Sequence, residues 1–157
     1  SDAETLRARM YAKKEEIVQK DGFPQIPGVK EAIKRFHDEG FRLEVASSSA
    51  GYYIGRVLDA LEIRQYFECY TSGEEVDHPK PAPDTFVRAM EKLKLKPEDC
   101  LIVEDSTNGG KAAAAAGTKC VWFHNPDSGD QQIPHAVLEI ASWSQENVEK
   151  IIELMKQ

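Results

Sequence analysis

The stretch CLIVEDSTNGGKAAAAAG, Cys100 to Gly117, decides the fold. Leu101, Ile102 and Val103 are a continuously apolar run, the pattern of a strand covered on both faces of a parallel sheet. The run ends on two adjacent acids, Glu104 and Asp105, followed by Ser106. Thr107–Ala116 reads as a helix stopped by Gly117. Its tract Ala112–Ala116 carries only small side chains, which lets a helix lie close on a sheet. In open sheets of this kind a ligand sits beyond the carboxyl ends of the strands, which is where Glu104 and Asp105 stand.

The pattern repeats on both sides of this stretch. Val29–Glu39 reads as a helix with Val29, Ile33 and Phe36 inward and Gly40 closing it, and FRLEVA, Phe41–Ala46, as a strand. A helix over Gly51–Leu61 and a short strand near Phe67–Tyr70 follow. Asp84 is the expected N-cap of a helix over Thr85–Leu93. KCVWFH, starting at Lys119, is a further strand, and the last helix spans about Gln145–Met155. Such alternation predicts an α/β protein, a parallel sheet between two helical layers. Ahead of it, residues 3–20 read as a helix with Leu6, Met10 and Ile17 on one face, joined by the linker DGFPQIPG, Asp21–Gly28. The expected division is a helical remnant over 1–20 and a core domain over 21–157.

The 157 residues suffice for one domain with a core. A net charge of −7 argues against a nucleic-acid partner, because no basic face is available to meet phosphate. No apolar run approaches a membrane span. Cys69, Cys100 and Cys120 are an odd number without metal-ligand spacing. They are expected to be free thiols, which favours a reducing cytoplasm.

The strand ends then supply the chemistry. The first delivers Ser47, Ser48 and Ser49; the loop EVDHPKPAPD after the second delivers Lys80; the third delivers Glu104, Asp105 and Ser106; the fourth delivers His124 and Asn125. A hydroxyl, free amides and an ammonium are what a phosphate needs. Paired carboxylates suit a hard divalent cation, most simply Mg²⁺. Each feature taken alone has a plainer reading: a serine-rich helix cap, a solvated lysine, acids drawn to a helix N-terminus. Their placement on successive strands favours phosphoryl transfer, where positioning and charge neutralisation supply most of the catalysis. His37 and His78 are expected in solvent.

VASSS, KPAPDTF and IVEDSTNGGKAAAAAG, in this order, resemble the haloacid dehalogenase superfamily, in its β-phosphoglucomutase-like phosphatase and mutase branch. The resemblance runs from about Pro27 to the C-terminus. It implies a three-layer Rossmann-like core and Mg²⁺-dependent transfer from a small phosphorylated metabolite through an aspartyl-phosphate. Ser47 and the Ser48 amide would bind the phosphoryl group, and Lys80 would pair with it and with the nucleophile. Asp105 would ligate Mg²⁺, with Glu104 a second ligand or an outer-shell partner. Ser106 and Asn108 would buttress the loop, Ser106 capping the alanine helix.

One departure is as informative as the match. The family's nucleophile lies in an apolar strand ending in D-x-D, and this sequence contains no D-x-D. The resemblance places that missing strand at the centre of the sheet, between the RLEVAS and CLIVED strands, where open backbone edges are costly. Three solutions are expected: an upstream segment outside this chain, a strand from another molecule such as a second copy, or direct pairing of the two neighbours. The favoured reading is a truncated or cleaved parent enzyme, inactive as this chain alone. The alternative is a non-catalytic remnant serving as a phosphate-binding or interaction module. A response-regulator receiver fits poorly, because here the acids follow the Ser and the Lys rather than opening the domain.

Overall fold

A computed structural model describes residues 26–157 and, as backbone, residues 2–6. Six parallel strands form one sheet: β1 (Asp2–Leu6), β2 (Glu44–Ser47), β3 (Cys69–Ser72), β4 (Cys100–Glu104), β5 (Lys119–Phe123) and β6 (Leu138–Ile140), in spatial order β3-β2-β1-β4-β5-β6. Among the described residues five α-helices flank it: α1 (Val29–Asp38), α2 (Gly51–Ala60), α3 (Asp84–Leu93), α4 (Thr107–Ala115) and α5 (Gln145–Met155). Alternation along single strands feeds both layers. Leu101 and Val103 join a cluster with Ile33, Phe36, Leu58 and Ile151 from α1, α2 and α5. Cys100 and Ile102 of the same strand join Phe86, Met90, Ala112 and Ala113 from α3 and α4. This is the expected three-layer α/β architecture. The alanine tract does lie against the sheet, with Ala112 and Ala113 fully buried.

The centre of the sheet differs from expectation. The position between β2 and β4 is taken by the chain's own Asp2–Leu6, which pairs Thr5 with Glu44 on one side and Leu6 with Val103 on the other. Over residues 3–6 the expected helix is therefore a strand; the rest of that expected helix, residues 7–20, lies outside the described residues. The physical reason is tertiary. Two ladders of open N–H and C=O groups satisfy more backbone than an isolated helical turn could, and they override local propensity.

Smaller corrections follow the same logic. β3 begins two residues beyond the expected Phe67, and β6 was not expected at all. Asp84 is the first residue of α3 rather than its cap. Its Oδ2 instead accepts the His78 backbone N–H at 3.2 Å and lies 3.0 Å from His78 Nδ1. No helix among the described residues is long and apolar enough to cross a membrane.

Candidate active site

Glu104, the last residue of β4, is 1% exposed and fully engaged. Its Oε2 accepts from Lys80 Nζ at 2.9 Å, and its Oε1 accepts from the Asp105 N–H at 3.2 Å and Ser106 Oγ at 3.3 Å. Lys80 Nζ also donates to the Ala46 carbonyl of β2 at 3.3 Å and lies 4.3 Å from the Phe86 ring centroid. The ammonium thus ties β2 to β4 across the strand between them. A lysine so buried is no solvated loop residue.

The two glycines of the opening stretch are explained here. A Cβ on Gly109 would lie 2.1 Å from Glu104 Cδ, and one on Gly110 2.8 Å from the Ile133 side chain. Ser106 Oγ accepts the Gly109 N–H at 3.0 Å, so it caps α4 while contacting Glu104. Helix, cap and carboxylate are one packed unit that only glycine permits.

Asp105, also 1% exposed, is held from a different direction. Its Oδ2 accepts from Asn125 Nδ2 at 3.1 Å and from Ser128 Oγ. Both donors are neutral, so they orient the carboxylate without cancelling its charge. The loop that carries them is pinned to α4: Gln131 Oε1 accepts the Thr107 N–H and Gln131 Nε2 donates to the Ser128 carbonyl, each at 2.8 Å. Sequence reasoning placed Asn125 at this edge without a role and missed Ser128 and Gln131. The available signal was the turn-rich NPDSG following an apolar strand at the same sheet edge.

Ser47 ends β2, buried, with its Oγ accepting the Ser49 N–H at 3.0 Å. Ser72 Oγ of β3 donates to the Ser49 carbonyl at 2.6 Å and fixes the loop from outside. Ser48 is exposed, as is Asn108 on the first turn of α4. His124 stacks on Trp122 at 3.9 Å, and its Nε2 lies 2.9 Å from Glu139. Direct bonds therefore join Lys80, Glu104, Asp105 and Ser106. Ser47 adjoins them through Ala46, while Asn108 and His124 stand apart.

Further down β2, Glu44 is fully buried and accepts from Cys69 Sγ at 2.6 Å. Burial pushes its carboxyl up to about 7. Burial, and next the Glu44 carboxylate, push the Cys69 thiol up to about 12. All three cysteines are free.

The arrangement offers the Lys80 ammonium, the Ser47 hydroxyl and the hard-oxygen carboxylate of Asp105. Among the described residues no three His, Cys, Asp or Glu side chains gather as a metal cage. Mg²⁺ needs none, since it commonly takes one or two carboxylates with water and substrate phosphate. Asp105 fits that role. Glu104, with both oxygens engaged, fits the outer shell.

A family model described as haloacid dehalogenase-like hydrolase matches residues 1–123. Hexitol phosphatase B of Escherichia coli K12 is 31% identical over 115 residues, 73% of this chain and 51% of that protein. The crystal structure of CbbY from Rhodobacter sphaeroides in complex with phosphate superposes with a TM-score of 0.70 at 27% identity, covering 76% of this chain and 55% of that one. β-Phosphoglucomutase from Clostridium difficile shares the fold, with a TM-score of 0.71 at 23% identity over 83% of this chain and 56% of that one. The chain thus spans about half the length of these proteins.

Proposed function

Because the chain belongs to the haloacid dehalogenase-like hydrolase family, we propose that it is the core of a Mg²⁺-dependent phosphatase or phosphomutase acting on a small phosphorylated sugar or polyol. The observation that carries this reading is the buried Lys80–Glu104 pair, set beside Asp105 at the carboxyl edge of the sheet. A structural ion pair alone would not require a second buried carboxylate with its own orienting loop. The hexitol phosphatase relative and the phosphate-bound CbbY support the substrate class.

In this reading Ser47 Oγ and the Ser48 N–H donate to the phosphoryl oxygens, and Lys80 faces their charge. Glu104 fixes the ammonium, and Ser106 fixes Glu104. Asn125 and Ser128 orient Asp105, which holds Mg²⁺; the bound ion would neutralise charge developing on the phosphoryl group. Transfer through an aspartyl-phosphate belongs to the complete enzyme, in which a D-x-D strand from the parent protein or another molecule would take the central place that Asp2–Leu6 holds here. This chain alone binds and does not turn over. Residues 21–157 are the core, and Asp2–Leu6 completes its sheet as the central strand. The three free thiols are consistent with a cytoplasmic setting.

The test is an assay of the complete protein against hexitol phosphates with and without Mg²⁺, alongside titration of this chain with inorganic phosphate. Mg²⁺-dependent release of phosphate by the complete protein, and phosphate binding by the chain that Lys80→Ala abolishes, are expected. Absence of both would refute the reading.

A further inference from the structure

Ser72 of β3 stands beside Ser47 of β2 in the sheet register, and its side chain is buried. We propose that Ser72 is a positioning residue for phosphate binding, acting with the turn Gly73–Glu75 to hold the Ser47–Ser49 loop in its receiving shape. The proposal rests on the phosphoryl-transfer reading and adds to it residues that act through the loop rather than on the phosphoryl group.

The loop draws limited support from its own side chains. The Ser49 N–H donates to Ser47 Oγ, so the Ser47 hydroxyl keeps its own proton for a phosphate oxygen. The residue before α2 is Ala50, whose methyl cannot cap the open N–H groups of that helix.

The turn after β3 supplies what the loop lacks, from 23 residues away. Ser72 Oγ donates its one proton to the Ser49 carbonyl at 2.6 Å. Glu74 Oε1 accepts the N–H of Gly51, the first residue of α2, at 3.2 Å. Ser49 is thereby fixed at both of its backbone polar groups, and the Ser48 amide lies between two held residues. Gly73 backs the same point, since a Cβ there would lie 3.1 Å from Ser48 Cα.

This brace is itself anchored. Ser72 Oγ accepts the Glu74 N–H at 3.0 Å, and the Ser72 N–H donates to Glu75 Oε2 at 2.8 Å, closing a capping box. Glu75 Oε1 pairs with Lys92 Nζ of α3 at 2.7 Å, and that ammonium also donates to the Tyr70 carbonyl of β3 at 2.9 Å. A turn that only joined β3 to α3 would be complete with the capping box; the two bonds into the neighbouring loop are additional. A loop held this way is set before phosphate arrives, which lowers the cost of ordering on binding.

Nuclear magnetic resonance titration of this chain with inorganic phosphate, read on the Ser47–Ser49 amides, tests the proposal. Ser72→Ala is expected to shift these amides in the free chain and to weaken phosphate about three- to tenfold, while the Ser106–Gly109 amides keep their positions. Gly73→Ala presses on Ser48 without removing a hydrogen bond and should weaken phosphate as well, so the test stands even where Ser72→Ala does not fold. Glu74→Gln should bind phosphate about two- to threefold more tightly than Glu74→Ala, because both lack the charge and only glutamine keeps an acceptor for the Gly51 N–H. Equal affinities would overturn the part assigned to Glu74. If Ser72→Ala and Gly73→Ala bind phosphate as the parent chain does, or if the Ser106–Gly109 amides shift as far as those of the loop, the proposal is wrong while the phosphoryl-transfer reading stands. If phosphate leaves the loop amides of the parent chain unmoved, that reading falls and the proposal with it.

Discussion

Lys80 and Glu104 meet at 2.9 Å with both side chains only 1% exposed, and the ammonium reaches the Ala46 carbonyl as well. A pair so deep in the sheet is sensitive to the loss of either partner, because the survivor is left as an uncompensated buried charge. Lys80→Ala is therefore expected to destabilise the chain by about 3–5 kcal/mol, and Lys80→Met with Glu104→Gln by much less. Urea unfolding of the two variants measures the difference. Equal losses would mean that the pair is not energetically coupled. In the complete enzyme either change should also abolish turnover, since the ammonium that faces the phosphate is lost in both.

Gly109 tests the packing of the acidic turn. Its missing Cβ leaves the space that Glu104 occupies, and Gly109→Ala would put a methyl 2.2 Å from Oε1. Either the carboxylate leaves Lys80 or the helix shifts outward, so a loss of roughly 3 kcal/mol is expected, together with weakened phosphate binding. Asn108→Ala, one position earlier and exposed, should change stability by less than about 0.5 kcal/mol. A Gly109→Ala protein as stable as the parent would show that the turn is looser than described.

How far the sequence reveals this structure depends on how local each cause is. The Leu101–Val103 run and the alanine tract carry their burial in their own composition, so strand β4 and helix α4 were legible, as was the delivery of Glu104 and Asp105 to the sheet edge. Strand β6 was not, because three edge residues with Glu139 exposed make no periodic signal. Ala3–Leu6 reads as helix because nothing in those residues reveals the two open ladders that recruit them. Ser128 was missed for a similar reason: its bond to Asp105 spans 23 residues and depends on how Gln131 folds the loop back onto α4. Asp84 looked like a cap until His78, six residues away, supplied a competing donor.

Asn125 and Ser128 give the metal reading a test that does not touch the ligand itself. If they orient Asp105 for Mg²⁺, Asn125→Ala and Ser128→Ala should each weaken Mg²⁺ binding by roughly 10- to 100-fold, as outer-shell changes commonly do. Asp105→Ala should abolish both binding and Mg²⁺-dependent turnover in the complete enzyme. Calorimetric titration with Mg²⁺ in the presence of inorganic phosphate reads the affinity directly. Unchanged affinity in all three variants would remove Asp105 from the metal site.

Glu44 makes the stability of the core depend on pH in an unusual direction. Its carboxyl is pushed from the ordinary 4.5 up to about 7 by burial, so the folded chain holds this proton more tightly than the unfolded one. The contribution is present in full below about pH 4.5 and is lost as pH rises to about 7, a change worth roughly 3 kcal/mol. Glu44→Gln keeps an acceptor for Cys69 Sγ and removes the titration. Relative to the variant, the parent chain should lose stability between pH 5 and pH 8, read as a falling urea midpoint at constant slope. Cys69→Ala should steepen the fall, because the thiol's hydrogen bond favours the charged carboxylate. Parallel pH profiles for the parent and Glu44→Gln would place the Glu44 proton elsewhere.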